Sequence, residues 1–259
     1  MIGPQIHMHR GLASAILCSA LVWASGTKAQ GQHPAHTWDY GEEHGPSHWG
    51  ELEPDFTACK DGHHQSPIDI RNATKADLPP IHFDYKTSPL HIIDNGHTIM
   101  VDYAPGSFIS VGDKKYELKQ FHFHRPSEEK INGKTYEMTL HLVHANQEGK
   151  LAVVAVVLGK GQDNRLIHQL WEHIPKDKDK EYRLDSIQID AADLLPADRG
   201  YFTFQGSLTT PPCTEGVTWF VLQHPVSVSA DEIAGFSKIY QNNARPTQPV
   251  YGRAVMASK

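Results

Sequence analysis

Gln120-Phe121-His122-Phe123-His124 alternates polar and aromatic residues with a period of two. That is the period of a β-strand, in which successive side chains point to opposite faces of the sheet. Phe121 and Phe123 therefore face a core, while Gln120, His122 and His124 stand together on the other face. A second alternating run, Thr139-Leu140-His141-Leu142-Val143, follows beyond Asn132-Gly133, a dipeptide that favours the tight turn of a β-hairpin. Pairing Ile131 with Lys134 across that turn sets His124 opposite His141, at a Cβ separation of about 4.5–5.5 Å, and places His122 diagonal to it. Pro126 has no N–H to give the ladder, so this register is conditional on how the chain opens there. On this reading three imidazoles converge, the ligand set of a catalytic zinc site that keeps a fourth position for water. Stacked pairs of exposed sheet histidines, with no metal, are the plainer alternative.

Histidine is abundant, 18 of 259 residues, whereas Cys occurs three times, which favours metal chemistry over a disulfide scaffold. At that frequency an H-x-H arises by chance, as His7-Met8-His9 shows, so the alternation around His122 and His124 matters more than the motif. With 39% hydrophobic and 21% charged residues the chain has the balance of a globular protein, not of a disordered or membrane-spanning one. The 24 basic and 30 acidic residues, net charge -6, exclude a global electrostatic case for nucleic acid or anionic lipid.

Residues 1–29 read as a secretory leader: His7, His9 and Arg10 precede a small and apolar run, and Thr27-Lys28-Ala29 provides a cut before Gln30. The run falls short of the ~20 residues that span a bilayer, and Ile16 and Leu17 before Cys18 do not suit lipidation. The mature chain, 259 less 29, is 230 residues long; losing Arg10 and Lys28 leaves 22 basic against 30 acidic residues, a net of -8. Its two cysteines, Cys59 and Cys213, are expected to pair in an oxidising compartment, periplasmic or extracellular, two separate buried thiols being the alternative.

Residues 30–65 are rich in Gly, Pro and His without helical periodicity and read as an arm laid over a body, pinned by Trp38, Tyr40 and Trp49. Short alternating or apolar runs follow at 81–85, 91–93, 98–103, 116–124, 135–144, 151–158, 201–205 and 217–222, the pattern of a largely antiparallel sheet. Helical spacing is confined to 164–173 and 231–240, the latter opened by Ser229. Residues 176–181 alternate in charge and read as a solvated loop. No repeat or linker divides 66–259, so the expectation is a single mainly β (α+β) domain over 30–259.

The chain resembles the alpha-class carbonic anhydrases, secreted bacterial members in particular. The resemblance is carried by Trp38-x-Tyr40, Gln65-Ser66-Pro67-Ile68, Asn95-Gly96-His97, Gln120-Phe121-His122-Phe123-His124, Pro126-Ser127-Glu128, His141-Leu142-Val143-His144, Ser207-Leu208-Thr209-Thr210-Pro211-Pro212-Cys213, Glu215-Gly216-Val217-Thr218-Trp219 and Asn243-Ala244-Arg245-Pro246. It implies a central twisted, mostly antiparallel sheet of about ten strands with short peripheral helices. It also implies one Zn²⁺ per chain on His122, His124 and His141, with the pKa of the bound water lowered to about 7, a value known for this enzyme class and not deduced from this sequence.

By the same resemblance, hydroxide is expected to attack CO2 to give bicarbonate, with Thr209 orienting the hydroxide and donating its own hydrogen bond to Glu128. Val143, Val153, Leu208, Thr210, Val217 and Trp219 match the substrate pocket, His97 the proton shuttle, and Tyr40 and Asn95 the residues that order the connecting waters. Gln120 lies behind the metal ligands. His144, His168 and His224 read as structural, His63 and His64 as exposed.

Two positions depart from the family's pattern, which commonly has His immediately after the Glu matching Glu128 and Glu two residues before the third ligand. Here these are Glu129 and Thr139. A carboxylate is lost at 139 and one is gained at 129, so Glu129, with Thr139, is expected to take over the support of His141. A carbonic-anhydrase-like binding module is the rival reading, disfavoured because all three ligands are present. The expected partners are CO2, bicarbonate and water, with no nucleic acid and no membrane insertion after leader cleavage; monomer and homodimer both stay open.

Overall fold

A computed structural model of the protein describes residues 37–259, which belong to one unit spanning Ala35–Lys259. The leader reading and the first residues of the arm lie outside the described residues. Ten strands form a continuous sheet path in the order Lys180–Ile189, Ser88–Asp94, Ile99–Asp102, Lys114–His124, Met138–Ala145, Leu151–Lys160, Glu215–Leu222, Tyr201–Ser207, Met256–Ser258 and Thr74–Ala76. Ile81–Asp84, Phe108–Val111 and Val226–Val228 join it to make thirteen, and Asp69–Ile70 pairs with Lys130–Ile131 in a separate two-stranded sheet. Most pairings are antiparallel. Leu151–Lys160 runs parallel to Glu215–Leu222 and to Val226–Val228, as does Met256–Ser258 to Thr74–Ala76.

Alternation assigns each central strand two faces. Phe121 and Phe123 pack with Leu140, Leu142, Val154, Val156 and Phe220 into the larger core, which the helices Arg165–Trp171 and Ala230–Ser237 cover with Leu166, Ile167, Leu170, Ile233 and Phe236. Each fully buried aromatic of this kind contributes roughly 1.5–3 kcal/mol. The opposite face carries a smaller core of Ile68, Ile70, Val153, Ala155, Phe204, Val217, Trp219 and Val221. Leu151–Lys160 is covered on both faces, which is why its sequence is continuously apolar where its neighbours alternate.

Both helices begin as their residues dictate. Asn164 Oδ1 accepts from the N–H groups of Leu166 and Ile167 at 3.1 Å, and Ser229 forms a reciprocal capping box with Glu232. Glu232 also accepts from Asn164 N–H at 3.0 Å, joining the two helix starts.

Two details set the face that carries the histidines. Between Leu118 and Gln120 the Lys114–His124 strand has a register shift against its neighbour, leaving Lys119 as an extra residue. This bulge changes the phase of the strand, so Tyr116 and Leu118 share the larger core with Phe121 and Phe123. The second detail corrects the expected register: His122, not His124, pairs with His141, and His124 pairs with Thr139. The Asn132-Gly133 turn does form, with φ of 51° and 80° and an Ile131–Lys134 bridge. However, residues 125–129 leave the ladder, and Lys130–Ile131 pairs with Asp69–Ile70. The slip is two residues, so every side chain keeps its face.

The expected loop at 176–181 extends only to 179, because an edge strand starts at Lys180. Its side chains are mostly exposed, leaving no apolar alternation to read. The arm is pinned by Trp49, fully buried, against which the rings of Trp38 and Tyr40 pack edge-on at 5.2 and 5.6 Å. Cys59 and Cys213 are joined by a disulfide. Among the described residues no helix is long and apolar enough to cross a membrane.

Candidate metal centre

Strand period and pairing bring His122, His124 and His141 together on the smaller-core face. Their ring centroids lie 5.0, 5.4 and 4.7 Å apart for the 122–124, 122–141 and 124–141 pairs, and one nitrogen from each lies within 4.8 Å of the others. Every ring has its outer nitrogen against an oxygen. His122 Nδ1 is 2.8 Å from Gln120 Oε1, His124 Nδ1 is 2.8 Å from the Asn243 carbonyl, and His141 Nε2 is 2.9 Å from Glu129 Oε1.

An oxygen acceptor selects the tautomer with its proton on that outer nitrogen. The lone pairs of His122 Nε2, His124 Nε2 and His141 Nδ1 then face inward. His124 Nε2 is buried without a hydrogen-bond partner among the described residues, a cost that a cation at the centre removes. The donor set and this unpartnered nitrogen fit a divalent metal of the zinc type.

The electrostatics favour the neutral, ligating form of His122 and His124. Burial, reinforced by His141, pushes His122 down to about 3, and burial holds His124 well below the ordinary imidazole value. For His141 burial acts downward, but the charge and hydrogen bond of Glu129 and the charge of Glu128 outweigh it and raise its pKa. Burial pushes Glu128 up to about 7, against the influence of His141. Glu128 Oε1 accepts from the Arg245 N–H at 2.8 Å, and the Thr209 hydroxyl acts on the carboxylate as a hydrogen-bonding neighbour. Thr139 does not contact His141 through a hydrogen bond as expected; its Oγ1 accepts from the Glu128 backbone N–H at 3.1 Å.

The remaining expected residues have the following surroundings. Val153, Val217 and Trp219 form one apolar cluster with the partly buried Val143 and Leu208, and the Trp219 ring stands edge-on to His141 at 4.9 Å. Thr210 lies in the adjoining turn, where its carbonyl accepts from Cys213 N–H at 2.8 Å. His97 stacks on Trp38 with centroids 3.7 Å apart and planes 5° from parallel. Asn95 Oδ1 accepts from the N–H groups of His97 and Thr98 at 3.0 and 2.9 Å, so it builds the turn that presents His97. Tyr40, whose phenol burial holds well above its usual pKa, lies within electrostatic reach of Glu128 and Arg245.

His144 is buried and contacts the Tyr85 hydroxyl at 2.8 Å, whereas His168 and His224 are surface residues rather than structural ones. Asn243 and Arg245 were assigned no role from sequence. Arg245 is buried, with its guanidinium donating to Gln65 Oε1, Ser66 O and Cys59 O at 2.8, 2.8 and 2.9 Å. Only their place in a family motif marked them, because a backbone group has no side-chain signature.

Three imidazoles from adjacent strands, each held from behind by an oxygen, form a cluster that could hold a metal ion on a mostly antiparallel sheet. The sequence model of the eukaryotic-type carbonic anhydrases matches residues 44–259. A carbonic anhydrase of Nostoc sp. is 43% identical over 224 residues, covering 85% of each chain. One of Pectobacterium carotovorum is 40% identical over 247 residues, covering 95% of this chain and 98% of its own. The solved structure of a hyperthermostable carbonic anhydrase from a hydrothermal vent chimney superposes with a TM-score of 0.83 at 43% identity, covering 86% of this chain and all of that one. The chain belongs to the eukaryotic-type, or alpha, carbonic anhydrase family, whose activity is CO2 hydration.

Proposed function

We propose that this protein binds one Zn²⁺ through His122 Nε2, His124 Nε2 and His141 Nδ1 and catalyses the reversible hydration of CO2 to bicarbonate and a proton. The observation that carries the reading is the convergence of three inward lone pairs, each aligned by an oxygen on the far side of its ring. When bound, Zn²⁺ acts as the Lewis acid that makes water a nucleophile at neutral pH. Thr209 orients that nucleophile by accepting its hydrogen bond, and Glu128, which the Arg245 N–H holds in place, accepts the hydrogen bond that the Thr209 hydroxyl donates. Val143, Val153, Leu208, Val217 and Trp219 offer CO2 an apolar surface beside the ligands, with Thr210 at its edge.

His97, at the position of the family's proton shuttle, carries the proton outward; its ring stacks on Trp38, which also packs against Tyr40. The disulfide supports an extracytoplasmic location, periplasmic or secreted, after removal of residues 1–29. Stopped-flow CO2 hydration with native zinc, after chelation and after zinc is restored tests the proposal. Activity that falls and returns with the metal is expected; full activity in the metal-free protein would refute it.

A further inference from the structure

Of the three imidazoles, His141 alone has a carboxylate as the hydrogen-bond partner of its outer nitrogen; His124 Nδ1 bonds the Asn243 carbonyl at 2.8 Å, with Glu128 Oε1 farther off at 3.5 Å. Glu129 Oε1 lies 2.9 Å from His141 Nε2, and both side chains are buried. The second oxygen of Glu129 is buried without a hydrogen-bond partner among the described residues. A carboxylate taken out of water is costly unless a specific partner compensates it, and here that partner is His141.

The neighbouring Glu128 approaches the same imidazole from the other side, with Oε2 3.9 Å from His141 Nδ1. Successive residues of a strand point to opposite faces, so two adjacent carboxylates reach one ring only where the chain has left the ladder. Residues 125–129 have done so. The excursion is held by Ser127 N–H donating to Tyr136 O at 3.1 Å and Ser127 Oγ donating to Glu129 O at 2.9 Å. Lys130 N–H donates to Ile68 O at 3.2 Å, and Glu128 N–H donates to Thr139 Oγ1 at 3.1 Å. Thr139 sits two residues before His141 and shares its face, yet its hydroxyl oxygen serves Glu128.

We infer that residues 127–129 and Thr139 form one positioning unit with divided tasks. Glu129 fixes the tautomer and orientation of His141 for the metal, and Thr139 fixes the backbone of Glu128 for its contact with Thr209. This rests on the metal-site reading above. Neither residue touches metal or substrate, so the two tasks separate in different measurements.

The probe is Co²⁺, bound in place of zinc to the full mature chain and read by its visible absorption and by its rate of loss to a chelator. In Glu129→Ala the loss rate is expected to rise about 10–100-fold, with an altered spectrum. Glu129→Gln, which keeps shape and an acceptor oxygen but not the charge, falls between it and wild type. Thr139→Val keeps the wild-type spectrum and retention but lowers kcat for CO2 hydration, and Thr139→Ser, which keeps the hydroxyl, restores it. Wild-type metal retention in both Glu129 variants, metal loss in Thr139→Val equal to that in Glu129→Ala, or an unchanged kcat in Thr139→Val would overturn the division. A wild-type protein that takes up no Co²⁺ would overturn the metal-site reading and this inference with it; wild-type uptake with unaltered variants overturns the inference alone.

Discussion

Replacing Cys59 and Cys213 by serine opens a covalent loop that spans 154 residues. The bond joins the helical turn Ala58–Asp61 to the loop that follows Thr209 and Thr210, with Cα atoms 5.0 Å apart. On chain-entropy grounds, a cross-link of that span removes about 17 cal/mol/K from the unfolded ensemble, or about 5 kcal/mol at 25 °C. That is a large share of the roughly 5–15 kcal/mol net stability of a domain, and it corresponds to a fall in Tm of roughly 10–20 °C.

Molecules that stay folded keep their turnover, because other contacts hold the loop. The Cys213 carbonyl accepts from Gln65 Nε2 at 3.0 Å, and Leu208 N–H donates to Thr214 O at 3.0 Å; both survive in the serine variant. Urea unfolding followed by tryptophan fluorescence measures the first effect, and CO2 hydration in the absence of urea measures the second. A loss below about 1 kcal/mol, the scale of an ordinary substitution, would refute the entropic argument. A variant that is folded and inactive would refute the claim that non-covalent ties suffice for the Thr209 loop.

Replacing His97 by Ala lowers turnover in weak buffer by about an order of magnitude or more, and added imidazole restores it; equal rates in weak and strong buffer would exclude His97 as the proton carrier. His144 gives stability a pH dependence of known sign. Burial pushes it from 6.5 down to about 3, so between those values the unfolded chain takes a proton that the folded protein refuses. The stability present above pH 6.5 is therefore lost as pH falls through that window, at up to about 1.4 kcal/mol per pH unit. His144→Gln, which cannot take the proton, gives a shallower acid loss in denaturant titrations; parallel curves would contradict the assignment.

Much of the site was legible because its information is local. A period of two in 120–124 and in 139–143 assigned the faces before any contact was known. A two-residue error in register left those faces intact, since two residues are one full period. The helix starts at Asn164 and Ser229 were equally readable, because a cap is made within three residues of itself. The edge strand Lys180–Ile189 was not, because exposed residues on a sheet edge need no apolar pattern.

The sequence by itself determined that two strands would present three imidazoles on one face, and that Glu stands at 129 and Thr at 139. Tertiary structure alone decided that His122 pairs with His141 and that Thr139 serves Glu128. It also decided that His124 is held by a carbonyl 119 residues away, and that His97 lies flat on Trp38. The physical reason is common to the first three. Register depends on where residues 125–129 leave the ladder, and long-range hydrogen bonds use backbone groups that every residue carries, so neither writes a pattern into neighbouring side chains.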